Sequence, residues 1–233
     1  MKAVVLLPTY NERDNVQSIV PAILNAAPVD VWILDDASPD GTGALADALA
    51  QQDGRVRVMH RPKKLGLGRA YLDGFSAACG AGYDRIIEMD ADFSHPPQHL
   101  PEMLRLAQEH HLVLASRWVK GGGTHNWSLG RRCISRWGSF YARSILGVPV
   151  RDLTGGFRCY QRTALETLDL SRVRSCGYAF QIEMAYRVLK QGLRVVEMPF
   201  VFEERRAGKS KMSRQIVMEA IWRVPQLRWE DRG

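Results

Sequence analysis

The sequence has no closely spaced pair of cysteines and no long apolar run. Its four cysteines, Cys79, Cys133, Cys159 and Cys176, lie far apart along the chain. Because structural zinc sites use cysteine or histidine pairs a few residues apart, such a site is disfavoured and a reducing compartment is expected. The apolar run after Met1 is too short for a signal peptide, and no run approaches the ~20 residues of a membrane-spanning helix. We therefore expect a cytoplasmic protein that does not cross a bilayer by itself.

The composition is that of a globular protein. The 233 residues are 45% hydrophobic and 24% charged, with 20 glycines and 11 prolines, which excludes collagen-like, low-complexity and disordered chains. No long linker interrupts the chain, so a single domain over residues 1–233 is predicted. The 32 lysines and arginines outnumber the 25 aspartates and glutamates, for a formal net charge of +7. This charge suits an anionic partner such as nucleic acid, a phosphorylated substrate or an acidic membrane surface.

Short apolar runs alternate with helical patterns, which predicts an α/β fold with a mainly parallel central sheet flanked by helices. Strands are predicted over residues 2–8, 31–35, 55–60, 85–90, 112–116, 157–161 and 195–202. A first helix is predicted to begin at Asp14, with Gln17 completing a capping box. Further helices are predicted over residues 100–107, 129–146, 180–190 and 213–228, and residues 120–124 are predicted to form a flexible loop.

Polar and acidic segments follow three of the predicted strands, at residues 8–12, 35–40 and 90–92. In open α/β sheets, ligands bind beyond the carboxyl ends of the strands, where these segments would converge. Aspartate, asparagine, proline and serine are also ordinary turn formers, and that alternative explains any one segment well. Three acidic strand ends on one rim favour a ligand site.

Asp90 and Asp92 are separated by one residue at a strand end. Two such carboxylates can approach one hard cation, and Mg²⁺ or Mn²⁺ is commonly held by one or two carboxylates plus substrate phosphates. Zinc is disfavoured, because prolines interrupt the helical spacing of His95 and His99. We interpret His95 as a loop residue that supports the site.

Gly66 and Gly68 resemble part of a dinucleotide-binding fingerprint, but the third glycine is missing and the segment follows the third strand. An NAD site is therefore rejected. We interpret this segment as the start of a helix that needs a close backbone approach.

The motifs together resemble the family-2 inverting glycosyltransferases, and within them the polyprenol-phosphate (dolichol-phosphate) mannosyltransferases. The resemblance rests on PTYNE (8–12), DDASPDGT (35–42), KLGLG (64–68), MDADFSHPP (89–97), DLTGGFR (152–158), GYAFQIEM (177–184) and RRAGKSKM (205–212). It implies a GT-A fold, GDP-mannose as the nucleotide-sugar donor, Mg²⁺ or Mn²⁺, and a polyprenyl monophosphate acceptor in a membrane.

The resemblance also implies roles for individual residues. Donor-nucleotide contacts are implied for Pro8, Tyr10, Glu12, Leu34 and Asp36, and a metal and diphosphate motif for Asp90, Ala91 and Asp92, with Asp90 and Asp92 as metal ligands. Arg117 resembles a phosphate-binding arginine shared by donor and acceptor, and Arg131 one that receives the acceptor phosphate. Arg205 and Lys211 match residues that close over the donor diphosphate. The catalytic set is thus Asp92, Arg117 and Arg131.

The sequence has no acidic base motif followed by QxxRW, which related processive enzymes carry. A sugar hydroxyl acceptor needs a general base, whereas a phosphate monoester is already mostly dianionic at neutral pH, its second pKa being about 6. This favours a phosphate acceptor. Two alternatives remain: a polyprenyl-phosphate glucosyl- or N-acetylglucosaminyltransferase that uses a UDP-sugar, and a nucleic-acid-binding protein. Acidic clusters on the ligand rim argue against nucleic acid.

Two predicted helices, over residues 129–147 and 213–228, combine arginines with large apolar side chains. Such a mixture suits a helix lying at a membrane surface, although both helices could instead pack on the core. We therefore expect a peripheral protein on the cytoplasmic face of a membrane, with a separate membrane-anchoring subunit as a further candidate partner.

Overall fold

The computed structural model describes residues 1–203 and 214–230, with side chains in the last segment from Met218 onward. A seven-stranded sheet has the order β3-β2-β1-β4-β7-β5-β8, and a two-stranded sheet pairs β6 with β9. The strands are β1 Ala3–Thr9, β2 Asp30–Asp35, β3 Val56–His60, β4 Arg85–Glu88, β5 Leu112–Ser116, β6 Gly123–Thr124, β7 Arg158–Gln161, β8 Val195–Pro199 and β9 Val201–Phe202.

Eight helices accompany the strands in the described residues. They are α1 Arg13–Ala26, α2 Thr42–Gln52, α3 Leu67–Gly80, α4 Leu100–Leu106, α5 Leu129–Leu146, α6 Arg162–Glu166, α7 Gly177–Lys190 and α8 Arg214–Glu230. The mainly parallel sheet flanked by helices is confirmed. A single domain over residues 1–233 stays a prediction.

The sheet separates two apolar cores, and alternation along β1 shows how. Val4 and Leu6 point into a core shared with α3, α5, α7 and α8, whereas Val5 and Leu7 point into a core shared with α1, α2 and α4. Because side chains alternate along a strand, a continuous run of apolar residues covers both faces. The sheet is therefore covered on both faces along β1.

β7 is the exception in direction. It runs antiparallel to both β4 and β5, whereas β1, β2, β3 and β4 are parallel neighbours. The beginning of β7 therefore lies at the same rim as the ends of the other strands. This reversal brings the residues just before β7 to the ligand-binding rim.

The strand predicted over residues 195–202 is present, but it was wrong as a single strand. It divides at Phe200 into β8, which pairs with β5, and β9, which pairs with β6. Pro199 lacks an N–H group, so it cannot donate a further bond to the ladder of the large sheet. The chain turns there, and Phe200 donates its N–H to the Ser116 carbonyl at 3.2 Å.

The capping box predicted for the first helix was also wrong. α1 begins at Arg13, one residue before Asp14, and Glu12 occupies the cap position. The Arg13 N–H donates to Asp40 Oδ2 at 3.3 Å, and Asn15 Nδ2 donates to Glu12 Oε2 at 2.7 Å. The Asp40 carboxylate from the neighbouring loop thus accepts from the helix terminus, which favours negative charge, whereas the Glu12 carboxylate accepts from the Asn15 side chain.

The loop predicted to be flexible is held against the sheet. Its last two residues form β6, and Gly123 donates its N–H to the Phe200 carbonyl at 3.0 Å. A Cβ on Gly122 would lie 2.4 Å from the Ser116 carbonyl oxygen. Only glycine permits this approach, so the glycines fix the loop against the end of β5.

The last helix, α8, packs against α5 and α7. Val224 and Leu227 are buried, Tyr141 Oη donates to the Ile221 carbonyl at 2.8 Å, and Arg228 Nη1 donates to the Leu146 carbonyl at 3.2 Å. Of the predicted span 213–228, Ser213 lies outside the described residues. No helix in the described part of the chain is both long enough and apolar enough to span a membrane.

Candidate active site

The three acidic strand ends converge as predicted, because β2, β1 and β4 are adjacent and parallel. Each is followed by a non-glycine residue with positive φ: Asn11 (57°), Ala37 (55°) and Phe93 (64°). Left-handed backbone costs an alanine or a phenylalanine free energy, and such residues cluster at functional sites. The rim therefore contains three left-handed turns side by side, two of them at residues for which this conformation is costly.

The turn after β2 is held by hydrogen bonds to Asp35. Asp35 Oδ1 accepts from Thr9 Oγ1 at 3.2 Å and from Ser38 Oγ at 2.5 Å. The Asp36 N–H donates to the Thr9 carbonyl at 3.0 Å, which ties the ends of β1 and β2 together. The Asp35 carboxylate is thus occupied by hydrogen bonds within the turn. The carboxylate of this turn that is left as the candidate ligand contact is that of Asp36.

Asp36 is buried and pairs with Arg61, a residue that the sequence analysis did not single out. Arg61 Nε also donates to Asp73 Oδ2 at 3.0 Å, and the Arg61 backbone N–H donates to the Asp35 carbonyl at 2.8 Å. Arg61 Nη2 is buried and makes no hydrogen bond to any described residue. Its position after β3, on the same rim, is the signal that identifies it in the sequence.

The remaining predicted nucleotide contacts surround this turn. Pro8 and Tyr10 are half-buried at the end of β1, and Lys64 Nζ lies 3.9 Å from the centroid of the Tyr10 ring. The Glu12 N–H donates to Thr42 Oγ1 at 3.1 Å. The Leu34 side chain is fully buried in the core, so a ligand contact at this residue would involve its backbone.

Asp90 and Asp92 lie in the turn after β4, with Ala91 buried between them. Asp92 is buried and accepts the Ser94 N–H on Oδ1 at 3.1 Å, and the Asp90 side chain is 35% exposed. The Asp90 N–H donates to His95 Nδ1 at 2.9 Å. His95 thus supports the motif from within the loop, as interpreted from the sequence.

The donor set fits a hard cation held partly by a ligand. Among the described residues no group of three or more histidine, cysteine, aspartate or glutamate side chains could hold a metal. Two carboxylates are available, and the buried Ser94 Oγ beside Asp92 makes no hydrogen bond within the described part of the chain. Mg²⁺ and Mn²⁺ accept few protein carboxylates when phosphate oxygens and water complete the coordination.

Arg117, directly after β5, is buried and forms a two-pronged pair with Asp152. Arg117 Nε and Nη2 each donate to one Asp152 oxygen at 2.7 Å, and Nη2 also donates to Thr154 Oγ1 at 2.9 Å. Burial alone would lower the pKa of Arg117 and raise that of Asp152. Their mutual attraction outweighs burial, so the pKa of Arg117 is raised and that of Asp152 is lowered.

Trp127 joins Arg117 to Arg131. The Arg131 guanidinium lies 4.0 Å from the centroid of the Trp127 ring, and the Arg117 guanidinium lies 5.5 Å from it. The Trp127 ring also packs on Phe202 at 5.0 Å, and Phe202 packs on His95 at 5.9 Å. A continuous row of rings thus connects the Asp90 turn with the two predicted phosphate-binding arginines.

An open cavity of about 580 Å³ adjoins these arginines. Arg117, Trp127 and Arg131 line one part of it. The rest is lined by largely apolar positions from α5, α7 and α8, including Ile134, Trp137, Gly138, Tyr141, Ile182, Ala220, Ile221 and Val224. The cavity therefore combines guanidinium groups with an apolar channel, an arrangement suited to an amphipathic ligand with an anionic head.

Arg158, at the start of β7, holds the loop that carries Asp152. It is fully buried and donates to the carbonyls of Leu153, Gly155 and Gln181 at 2.8, 2.8 and 2.6 Å. Burial raises the pKa of the nearby Glu88 carboxyl to about 7, against the lowering effect of the Arg158 charge. Arg158 thus shapes the backbone that positions Asp152 opposite Arg117.

Comparison with known proteins identifies the family. Residues 4–169 match the glycosyl transferase family 2. The chain is 46% identical over 235 aligned positions to the polyprenol monophosphomannose synthase of Mycolicibacterium smegmatis, covering 100% of this chain and 88% of that protein. It is 44% identical over 235 positions to the undecaprenyl-phosphate mannosyltransferase of Micrococcus luteus, covering 99% and 97%. The chain belongs to glycosyltransferase family 2.

Solved structures identify the fold of this glycosyltransferase. The crystal structure of glucosyl-3-phosphoglycerate synthase from Mycobacterium tuberculosis, in complex with Mn²⁺, UDP and glucosyl-3-phosphoglycerate, superposes with a TM-score of 0.69 at 20% identity. The match covers 96% of this chain and 80% of that one. The predicted GT-A fold is confirmed.

Four residues of this glycosyltransferase site were not predicted from the sequence: Arg61, Trp127, Asp152 and Phe202. Asp152 belongs to the DLTGGFR motif, which was recognised without a role for its carboxylate. Trp127 and Phe202 stand 75 positions apart in the sequence, and only the pairing of β6 with β9 brings them together. Arg205 and Lys211, predicted to close over the donor, lie outside the described residues.

Proposed function

We propose that this glycosyltransferase transfers mannose from GDP-mannose to a polyprenyl monophosphate, with inversion at the anomeric carbon. The observation that carries the proposal is the apolar cavity that ends at Arg117 and Arg131, beside the acidic rim. The names of the two full-length relatives support it, since one is a polyprenol monophosphomannose synthase and the other an undecaprenyl-phosphate mannosyltransferase.

The donor nucleotide would lie across the ends of β1 and β2. Asp36, oriented by Arg61, would accept hydrogen bonds from the nucleoside, with Pro8, Tyr10, Glu12 and the Leu34 backbone around it. The diphosphate would then extend toward the turn after β4. Arg205 and Lys211 would close over it.

Asp90 and Asp92 would hold Mg²⁺ or Mn²⁺ together with the donor diphosphate. When bound, the cation neutralises charge that develops on the departing diphosphate. His95 would keep the Asp90 turn in place through its bond to the Asp90 N–H. Phe93, directly after Asp92, has a positive φ, and the Ser94 N–H of the same turn donates to Asp92 Oδ1.

The acceptor phosphate would be bound by Arg131 and by Arg117, which Asp152 holds in orientation. Guanidinium groups suit phosphate oxygens, and the dianionic monoester needs no general base. A phosphate oxygen attacks the anomeric carbon, the bond from that carbon to the GDP oxygen breaks, and GDP leaves with the electron pair. The first isoprene units would occupy the apolar cavity.

The protein would act on the cytoplasmic face of a membrane, where the acceptor lies. Leu129, Ile134, Trp137 and Phe140 on α5 are more than half exposed and would contact the interface. A separate membrane-anchoring subunit remains a candidate partner.

Sugar transfer into polyprenyl phosphate tests the proposal. Radiolabelled GDP-mannose, UDP-glucose and UDP-N-acetylglucosamine are compared in detergent, with Mg²⁺, Mn²⁺ or a chelator, by counting label in the organic phase. We expect label from GDP-mannose alone and only with a metal. Label from a UDP-sugar would show that the proposed donor, GDP-mannose, is wrong. Label in the presence of chelator would show that transfer does not require a metal. If no donor gives label even after membranes are added, the lipid-acceptor assignment fails.

A further inference from the structure

A second cavity, separate from the apolar one, lies on the other side of α8. Its volume is about 610 Å³, and its walls come from the segment after α6, the end of α7 and the end of α8. We call it the basic cavity, because five cations line it: Arg172, Arg174, Arg187, Lys190 and Arg223. The function proposed above uses none of them.

Within the described residues, the lining of the basic cavity carries more positive than negative charge. Arg172 pairs with Asp169 at 3.1 Å, and Arg223 pairs with Glu230 at 2.6 Å. Arg187 pairs with the fully buried Glu183 at 2.6 Å. Among the described lining residues there are five cations and two carboxylates, and Glu183 lies beneath them.

The pairs also fix the wall in place. The Glu183 carboxylate accepts hydrogen bonds from Arg187, from Arg223 and from the Ser175 hydroxyl. Arg187 and Arg223 are therefore held by a buried carboxylate instead of swinging freely in solvent. Arg174 and Lys190 are exposed at the mouth, where they can meet a ligand.

The position of α8 relates the basic cavity to a surface. With 3.6 residues per turn, Met218, Trp222 and Trp229 fall within about 40° of one another around the helix axis. All three are more than half exposed, at 51%, 68% and 71%. This stripe lies opposite the buried face marked by Val224 and Leu227.

The two cavities flank that stripe. Ala220, Ile221 and Val224 line the apolar cavity on one side of α8, and Arg223, Leu227 and Glu230 line the basic cavity on the other. Exposed tryptophan is favoured at the boundary between lipid and water, and cations beside it meet lipid phosphates. A bilayer that contacts the stripe would therefore lie beside residues that line both cavities.

We propose that the basic cavity binds the phosphate head group of an anionic membrane phospholipid and so orients α8 on the bilayer. The proposal rests on the proposed function only in that both place the protein at a membrane surface. The phosphate carries the negative charge that the cavity matches, and the neighbouring tryptophans select a lipid over a free phosphate. Docking there would turn the open side of the apolar cavity toward the lipid phase.

The test is vesicle flotation of the full chain. Neutral phosphatidylcholine vesicles are compared with vesicles that contain about 30 mol% phosphatidylglycerol. The variant is Arg174→Ala/Lys190→Ala, and the control is Arg55→Ala/Arg105→Ala, which removes the same charge from the opposite layer of the sheet. Each cation near an anionic surface contributes about fivefold, so the variant should bind about thirtyfold more weakly and the control nearly as wild type.

Equal losses in variant and control would overturn the proposal, because diffuse charge would then explain binding. Wild-type binding by the variant, with an unchanged melting temperature, would also overturn it. A calorimetric titration with glycerol phosphate adds a second arm. Submillimolar binding that the variant loses would assign the cavity to a soluble phosphate and overturn the lipid assignment; no such binding is expected.

Measuring sugar transfer in detergent distinguishes a failure of the head-group site from a failure of the proposed function. The variant should transfer sugar as wild type does when vesicles are absent. If no donor gives transfer but vesicle binding still depends on Arg174 and Lys190, the proposed function fails and the head-group site stands.

Discussion

The strand-end half of the site (residues 3–97) and the cavity half (residues 112–230) are built in different ways. In the first, each polar group follows a parallel strand, and neighbouring strands bring the groups together. In the second, the groups come from β5, the loop before β7, α5 and α8, and distant contacts assemble them. Sequence order alone therefore places the first half, whereas the second depends on tertiary packing.

The largest expected effect concerns the strand-end half. Asp92→Asn should reduce transfer about 1000-fold while leaving the fold intact, because it removes charge from the proposed diphosphate and metal site. Initial rates and the melting temperature measure this. The control is Asp47→Asn, an exposed carboxylate on α2. Near-wild-type turnover by the Asp92 variant would remove Asp92 from the chemistry.

The next effect tests whether the cavity half depends on its buried pair. Arg117→Met leaves Asp152 buried and unpaired, which should cost about 3 kcal/mol and lower the melting temperature by about 10 °C. Asp152→Leu alone should destabilise similarly, and Arg117→Met/Asp152→Leu should recover much of the loss. Calorimetry measures all three.

The exposed pair of Arg105 with Glu102 supplies the control for that cycle. Its side chains are 63% and 48% exposed, so Arg105→Ala should cost at most about 0.5 kcal/mol. Additive losses in the Arg117 and Asp152 variants would mean that the two side chains are not coupled.

A smaller effect separates acceptor from donor. Arg131→Ala should raise the KM for polyprenyl phosphate about tenfold and change the KM for the donor little, since Arg131 lines the apolar cavity. Arg132→Ala, one residue along the same helix and exposed, is the matched control. Equal changes in both KM values would place Arg131 outside the acceptor site.

The smallest effect concerns the channel itself. A Cβ on Gly138 or on Gly130 meets no atom within 4 Å, and only Gly138 lines the apolar cavity. Gly138→Leu should therefore raise the KM for a long-chain acceptor a few-fold, through the volume it fills, and spare a short-chain one. Gly130→Leu, in the first turn of the same helix, introduces the same side chain without filling the cavity. If both variants change the KM for the long-chain acceptor equally, the isoprenoid chain of the acceptor does not bind in the apolar cavity.

The sequence predicted the fold class and the convergence of the acidic strand ends, because strand periodicity and chain direction are local properties. The same local logic gave Leu129–Leu146 as a helix with its observed bounds. It failed where one distant residue alters another: Pro199 ends β8 against Ser116, and Gly122 packs on the same carbonyl. The pairing of Arg117 with Asp152 crosses 35 positions and has no local signature.

The reversed strand β7 also sets an order of assembly. β5 has β7 and β8 as its sheet neighbours, and both are synthesised after it. During vectorial synthesis, a nascent chain that ends before β7 holds β4 as an open edge and β5 without a partner, and open edges pair with other chains. The cavity half therefore completes last, and β5 keeps an open edge until both β7 and β8 have been synthesised.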